Sequence, residues 1–344
     1  MVALSSGSKA RLPPVPLLLS PSALSKLLSG PSPPKLLDAS WHMPNLSPPR
    51  SGTQEYLSGP RLPGALRWDV DQVATRGPSV RGLPHMMPDP PTFARACTRR
   101  GICSQEDHVV CYDSTGLFSS PRLAFTFVAM GHERVSVLDG GLPAWRDEGH
   151  EVEEGEDRLT TLQRVYPTPS AVTPGFIRSY EEVRRTIADS ATGRTQLPIL
   201  DARPRGRYDG TAPEPRAGMK SGHMPGGLSL PFNEVVEAVK GEKGQFTKLK
   251  DQVALYRTLH GEPLLDFESL RHDSSSSSSG GGPTPAVMTT CGSGMTAAVL
   301  WLALRTLGVH AAVYDESWMG WAGREADGED APIIVTRKQD KQAM

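Results

Sequence analysis

Residues 286–321 read AVMTTCGSGMTAAVLWLALRTLGVHAAVYDESWMGW, and this stretch decides the fold. An apolar run ends at Thr290, a glycine-bearing loop follows, and an apolar helix extends from Ala297 to Leu307. Strand, loop and helix in that order are the unit of an α/β domain with a mostly parallel sheet. The unit has a counterpart at 108–145, HVVCYDSTGLFSSPRLAFTFVAMGHERVSVLDGGLPAW. There Asp113 stands opposite Cys291 at an offset of 178, and Trp145 opposite Trp321 at an offset of 176. A third pair of blocks, LLDASW at 36–41 and ILDARP at 199–204, sets Asp38 opposite Asp201 at an offset of 163. Three matched blocks in one order make the chain a duplication. The growth of the offset calls for extra residues in the second copy, and HDSSSSSSGGGPTP at 272–285 supplies much of them. That composition cannot bury apolar area, so a disordered surface insertion is expected there.

Outward from these blocks the chain divides into an N-terminal domain at 16–150, a linker at 151–171 and a C-terminal domain at 172–330. Ser20-Pro21-Ser22 reads as a capped helix start, and Leu36 to Ser40 as a strand. Phe93 to Arg99 reads as a short helix, His108 to Tyr112 as a buried strand, Ser120 to Met130 as a helix, and Val135 to Leu138 as a strand. The Gly, Pro and Ser content of 42–63 predicts a loop throughout.

Composition bounds the function. A length of 344 residues suits two ordinary domains. Lys+Arg is 37 and Asp+Glu is 38, so the net charge of −1 offers no general grip on nucleic acid or an anionic membrane. No apolar run approaches the length of a membrane-spanning helix. The cysteines are Cys97, Cys103, Cys111 and Cys291, with gaps of 6, 8 and 180. None forms a CxxC pair, which argues against a zinc ribbon or a redox dithiol, and their sparseness points to a reducing compartment. No metal and no organic cofactor is expected. The first 37 residues carry Lys9, Arg11, Lys26 and Lys35 and no acid, but Pro13, Pro14 and Pro16 interrupt any long amphipathic helix. They read as an ordinary terminus, with a mitochondrial targeting segment as the alternative.

The loop Thr289–Thr296 carries the chemistry. A cysteine between a strand end and a helix start is surrounded by unpaired backbone N–H groups. Gly292 and Gly294 let the backbone curl so that these converge on the sulfur, and the positive helix end favours negative charge there. Such a nest suits a cysteine that must hold charge, alone or on an added atom. In the first copy Asp113 takes the cysteine's place and cannot act as a thiol, so one active loop per chain is expected. Cys111 reads as core.

Cys291-Gly-Ser-Gly-Met-Thr-Ala resembles the active-site loop of the 3-mercaptopyruvate sulfurtransferases, members of the tandem-domain rhodanese family. Other blocks agree: Asp201-Ala202-Arg203, Gly206 through Arg216, Ser221 through Gly227 and Gly140-Gly141-Leu142-Pro143-Ala144-Trp145. The resemblance covers roughly 16–325 and implies two tandem rhodanese-like domains with the active site between them, the N-terminal one catalytically inert. It assigns Cys291 as the nucleophile that takes sulfur as a persulfide. Gly292, Ser293, Gly294, Met295 and Thr296 form the persulfide-stabilising loop, and Arg207 and Arg216 hold the substrate's carboxylate and keto oxygen. Ser293, His85 and Asp71 match a serine–histidine–aspartate relay. Thiosulfate-using members typically carry basic residues after the cysteine, and the neutral Gly292-Ser293 favours mercaptopyruvate. The chain departs from the family at Ala298, where a second cysteine often stands, and at Glu316, which shares an exchanged tryptophan block and bears on acceptor docking. Trp318 and Trp321 read as packing residues, and His223 as structural.

The resemblance therefore implies a sulfurtransferase that moves sulfur from 3-mercaptopyruvate to an acceptor and releases pyruvate. A thiosulfate sulfurtransferase, a cysteine phosphatase or arsenate reductase, and a non-enzymatic binding scaffold are the alternatives. The phosphatase loop wants arginine six residues after the cysteine, where Ala297 stands. Cyanide, a small thiol, thioredoxin or a sulfur-carrier protein feeding tRNA thiolation would all read the same persulfide. A monomer in the cytoplasm or the mitochondrion is expected, with no direct nucleic-acid or membrane partner.

Overall fold

The computed structural model describes residues 12–155, 164–193, 197–261, 265, 270 and 283–336. Two five-stranded sheets form, both wholly parallel. The first contains β1 (Leu18–Leu19), β2 (Lys35–Asp38), β3 (Leu66–Arg67), β4 (Val109–Tyr112) and β5 (Val135–Leu138), in the order β1-β5-β4-β2-β3. The second contains β6 (Ile177–Arg178), β7 (Ile199–Asp201), β8 (Gly227–Ser229), β11 (Val287–Thr290) and β12 (Ala311–Tyr314), in the order β6-β12-β11-β7-β8. Strand for strand the two orders are the same, which is the duplication expressed as topology. The central strands β4 and β11 are buried at every residue, as a parallel sheet covered on both faces requires.

Two helices join the halves. Ser120–Ala129 follows the Asp113 loop, and Ala297–Thr306 follows the Cys291 loop. The first is buried at all positions and the second from Ala297 to Leu304. A helix buried on every side has no solvent face, so each packs on its own sheet and on the other helix. Phe125 meets Trp301 edge-on at 5.3 Å across this contact, and one core cluster runs through both halves. Both loops are thereby set at the junction between the halves. The paired tryptophans are also used alike: Trp145 donates its indole N–H to Glu151 O and Trp321 to Pro332 O.

One expectation needs correction. The segment 42–63 is not loop throughout, because Gly52–Ser58 is helical. Ser51 caps it by accepting from Gln54 N, and buried Tyr56 pins it by donating to Ala65 O at 2.8 Å. Composition hid a helix whose start signal is a single serine. The second half also holds an antiparallel hairpin, β9 (Val236–Gly241) and β10 (Gly244–Leu249), with no counterpart among the described residues of the first. Residues 272–282 of the serine-rich insertion and 156–163 of the linker lie outside the described residues. Among the described residues no helix is long and apolar enough to cross a membrane.

Candidate active site

Cys291 is 2% exposed, directly after β11. Gly294, at φ +83°, turns its N–H onto the Cys291 sulfur at 3.1 Å. That left-handed turn is why glycine stands there. The loop is held from behind: Cys291 N donates to Ser317 Oγ at 3.3 Å, Trp318 N to Cys291 O at 2.9 Å and Met319 N to Gly292 O at 3.0 Å. Trp318 and Trp321 are buried in the core, so the tryptophan block packs, and Met319 is its member that reaches the cavity. Glu316 does not face the cavity; both its oxygens accept from Arg324.

At the matching place in the first copy, a nest of backbone N–H groups closes on a tethered carboxylate. Asp113 accepts from the N–H groups of Thr115, Gly116, Phe118, Ser119 and Ser120 and from the Thr115 and Ser120 hydroxyls. Burial pushes its pKa up, but these bonds outweigh it and the carboxyl lies below its ordinary value. Asp113 is 1% exposed and consumes the nest itself. The hairpin closes the loop from outside. Thr247 Oγ1 accepts from Leu117 N at 3.2 Å, and a Cβ on Gly116 would lie 2.4 Å from Thr247 O.

Cys291 opens onto a cavity of about 230 Å³. Gly292, Ser293, Met295 and Thr296 line one side, Arg207 and Arg216 another, and Trp41, Met43 and Phe118 of the first half close it. Arg207 lies over Gly292, its Nη2 3.1 Å from where a Cβ would stand. Buried Glu214 fixes it, accepting from Arg207 Nε at 3.0 Å and from Nη2 through the same oxygen. The other Glu214 oxygen accepts from Arg203 at 2.8 Å. Arg203 in turn forks onto Asp201 and stacks on Trp318 at 4.0 Å. Arg216 differs. It is half-buried, and among the described residues no hydrogen bond or ion pair to its guanidinium is formed. Burial draws its pKa below the usual arginine value, and the Asp71 charge offsets this only in part.

Asp71 and His85 come together, but Ser293 does not join them. His85 Nδ1 lies 2.6 Å from Asp71 Oδ1, a short contact that is out of line for a well-formed hydrogen bond. Asp71 Oδ2 accepts from the Trp41 indole at 2.8 Å, and Trp41 meets His85 edge-on at 4.6 Å. Burial pushes Asp71 up, yet the His85 and Trp41 contacts and the Arg76 charge hold it below the ordinary carboxylate value. His85 is 4% exposed, adopts φ +61°, and is not among the residues lining the cavity. Among the described residues no hydrogen bond links it to Ser293, which stands on the cavity wall. His223 is structural as expected, stacked on Tyr208 at 3.9 Å with Nδ1–H donating to Tyr208 O.

Sequence reasoning missed Trp41, Glu214, Arg203, Arg122 and Asp315. Glu214 stands inside the quoted Gly206–Arg216 block, and a buried glutamate between two arginines was the available signal. Trp41 ends the LLDASW block opposite Pro204. Arg122 sits in a helix that is otherwise apolar, so its charge was the signal there.

The rhodanese-like domain family matches residues 21–148. The Arabidopsis thaliana protein "Thiosulfate/3-mercaptopyruvate sulfurtransferase 1, mitochondrial" is 35% identical over 306 residues, 84% of this chain and 71% of its own length. The "Probable 3-mercaptopyruvate sulfurtransferase" of Schizosaccharomyces pombe is 34% identical over 303 residues, covering 88% of this chain and 90% of that protein. The crystal structure of SseA from Escherichia coli, described as a 3-mercaptopyruvate sulfotransferase of rhodanese fold, matches with a TM-score of 0.68 at 28% identity over 88% of this chain and 99% of SseA. Likeness of this extent makes the chain a member of the 3-mercaptopyruvate sulfurtransferase family, enzymes built on the rhodanese fold.

Proposed function

We propose that this chain takes sulfur from 3-mercaptopyruvate onto Cys291 and hands it to a thiol acceptor, with pyruvate released. The observation that carries the proposal is a buried cysteine whose sulfur accepts the Gly294 N–H, facing one arginine fixed by Glu214 and a second whose guanidinium makes no hydrogen bond or ion pair among the described residues. The donor carboxylate binds Arg216, whose guanidinium fork suits a planar anion, and Arg207 takes the keto oxygen. The Cys291 thiolate attacks the donor sulfur, an S–S bond forms and the donor's C–S bond breaks. The electron pair passes into the enolate of pyruvate, where the arginines meet the developing charge, and a proton completes pyruvate. Ser293, on the cavity wall, is the group placed to pass that proton, with the His85–Asp71 pair standing behind Trp41. The loop 292–296 holds the outer sulfur as an anion until an acceptor thiolate attacks it and restores Cys291.

The domain division at 16–150, 151–171 and 172–330, with an inert first domain, belongs to the same proposal. The tethered Asp113 carboxylate supports inertness. A small thiol, thioredoxin or a sulfur-carrier protein serves as acceptor, and the protein works as a monomer in the cytoplasm or mitochondrion. Intact mass after brief exposure to 3-mercaptopyruvate, with thiosulfate in parallel, tests the reading. A gain of one sulfur, about 32 Da as a persulfide, that is absent in Cys291→Ser and removed by a thiol supports it. Loading by thiosulfate alone overturns the donor, and loading by neither overturns the activity.

A further inference from the structure

Both copies follow the last strand of their sheet with an aspartate, Asp139 after β5 and Asp315 after β12, at the same offset of 176 as the paired tryptophans. Each aspartate reaches into the other half. Asp139 Oδ1 accepts from Leu249 N of the hairpin at 2.9 Å. Asp315 does more. Its Oδ2 accepts from Met87 N at 2.7 Å and its Oδ1 from Arg122 Nη2 at 2.6 Å. Arg122 is 2% exposed and spends the rest of its fork on two carbonyls: Nη2 also donates to His85 O at 2.5 Å, and Nη1 to Gly294 O at 3.3 Å. One first-half guanidinium therefore touches the backbone of His85, the backbone of the cysteine loop, and the strand-end aspartate behind that loop.

The Gly294 carbonyl belongs to the peptide whose N–H is that of Met295. In a trans peptide the two point in opposite directions. Anchoring Gly294 O on Arg122 therefore turns the Met295 N–H away from the first half, toward the loop interior. The Gly294 N–H, on the preceding peptide, already points at the sulfur. Arg122 is neutralised by Asp315, so its value to the site is orientation rather than net charge.

We infer that Arg122, held by Asp315, is a positioning residue for sulfur transfer: it sets the Gly294–Met295 peptide in the persulfide-holding orientation and fixes His85 against it. This rests on the sulfur-transfer reading for its kinetics and is testable apart from it. Arg122→Met, Arg122→Lys and Asp315→Asn are compared with the unaltered protein in donor kinetics, in rate of persulfide loading by mass, and in rate of Cys291 alkylation by iodoacetamide. Arg122→Met lowers kcat by about 10²-fold, the scale of a misplaced reacting group. The KM for donor stays within about twofold, since Arg207 and Arg216 remain. Alkylation of Cys291 changes several-fold in the folded variant. Arg122→Lys keeps the charge but cannot span three acceptors, and falls in between. Asp315→Asn keeps an acceptor for Arg122 and gives a smaller loss in the same direction; it carries the test where Arg122→Met does not fold. Folded variants with unaltered loading and alkylation overturn the inference, as does a fall in kcat that only follows the folded fraction. If 3-mercaptopyruvate fails to load the unaltered protein, the sulfur-transfer reading falls, and the alkylation rates still decide the role of Arg122.

Discussion

Arg207 and Arg216 offer two different cations to one cavity. Glu214 already half-neutralises Arg207 and fixes its plane. Arg216 carries a charge that burial disfavours and that Asp71 offsets only in part, so an incoming carboxylate gains most there. Arg216→Ala is expected to lower kcat/KM for 3-mercaptopyruvate by about 10–100-fold, the worth of a charge-assisted hydrogen bond. Most of the loss should lie in KM, with partial recovery in Arg216→Lys; a steady-state series in donor concentration decides it, and an unchanged KM would move the carboxylate elsewhere. Asp113 poses the opposite case, an anion already satisfied. Asp113→Asn replaces one acceptor oxygen by an NH2 group facing the N–H donors of Phe118, Ser119 and Ser120, and should cost about 3 kcal/mol in urea unfolding. The sign in pH follows from its depressed pKa. The Asp113 contribution is present above the ordinary carboxylate value near 3.8 and is lost only as pH falls through the lower folded value. At neutral pH the variant's deficit should therefore be complete and independent of pH.

Between elements, the hairpin β9–β10 and the Asp113 loop fit one another through Gly116. At φ +119° the position already disfavours a side chain, and a Cβ would also meet the Thr247 carbonyl at 2.4 Å. Gly116→Ala should lower stability by about 2 kcal/mol or more, since strain and overlap add. The same substitution should leave persulfide loading of the folded protein intact; a loss of loading would tie the first loop to the chemistry after all. None of this was legible in the sequence. The hairpin reads VEAVKG and GQFTKL, and only Val236, Phe246 and Leu249 are buried, so its register comes from partners about a hundred residues away. The helix 52–58 was lost in the composition of its surroundings, and β1, β3 and β6 are two residues each, too short for any period. By contrast β4 and β11 announce themselves as unbroken apolar runs, and the cysteine loop as glycines between such a run and a helix. Cys291, Arg207 and Arg216 could be found because they stand in compact motifs. Arg122 and Asp315 could not be paired, being 193 residues apart with neither in a motif of its own.

At the scale of the whole molecule, the chain that passes from one half to the other is held at each end by a neutral histidine. In the first half, His132 is fully buried; its Nε2–H donates to Asp107 O at 2.9 Å, which leaves Nδ1 to accept from the Tyr166 hydroxyl at 3.0 Å. In the second, His310 donates through Nε2 to Gly175 O at 3.3 Å and stands edge-on to Phe176. Tyr166, Gly175 and Phe176 all belong to the stretch between the two sheets. Burial lowers both histidines from the ordinary 6.5 to about 4. A folded value below the unfolded one means that both states are neutral above pH 6.5 and nothing is lost there. As pH falls from 6.5 toward 4, the unfolded chain binds protons that the folded chain refuses, and each histidine removes up to about 3 kcal/mol. Protonated His132 also loses the lone pair that Tyr166 uses. Stability should therefore fall between pH 6.5 and 4.5, above the range in which Asp113 responds. Urea midpoints at pH 7, 6, 5 and 4.5 measure this directly, and a flat profile from pH 7 to 5 would show that these histidines accept protons without unfolding the junction. The double variant His132→Gln, His310→Gln should be less stable at pH 7 and have a shallower slope, keeping the part set by His108, which burial also lowers to about 4, and by His223, which burial lowers too. Since the active cavity draws its walls from both halves, activity should decline over the same interval in which the midpoint drops.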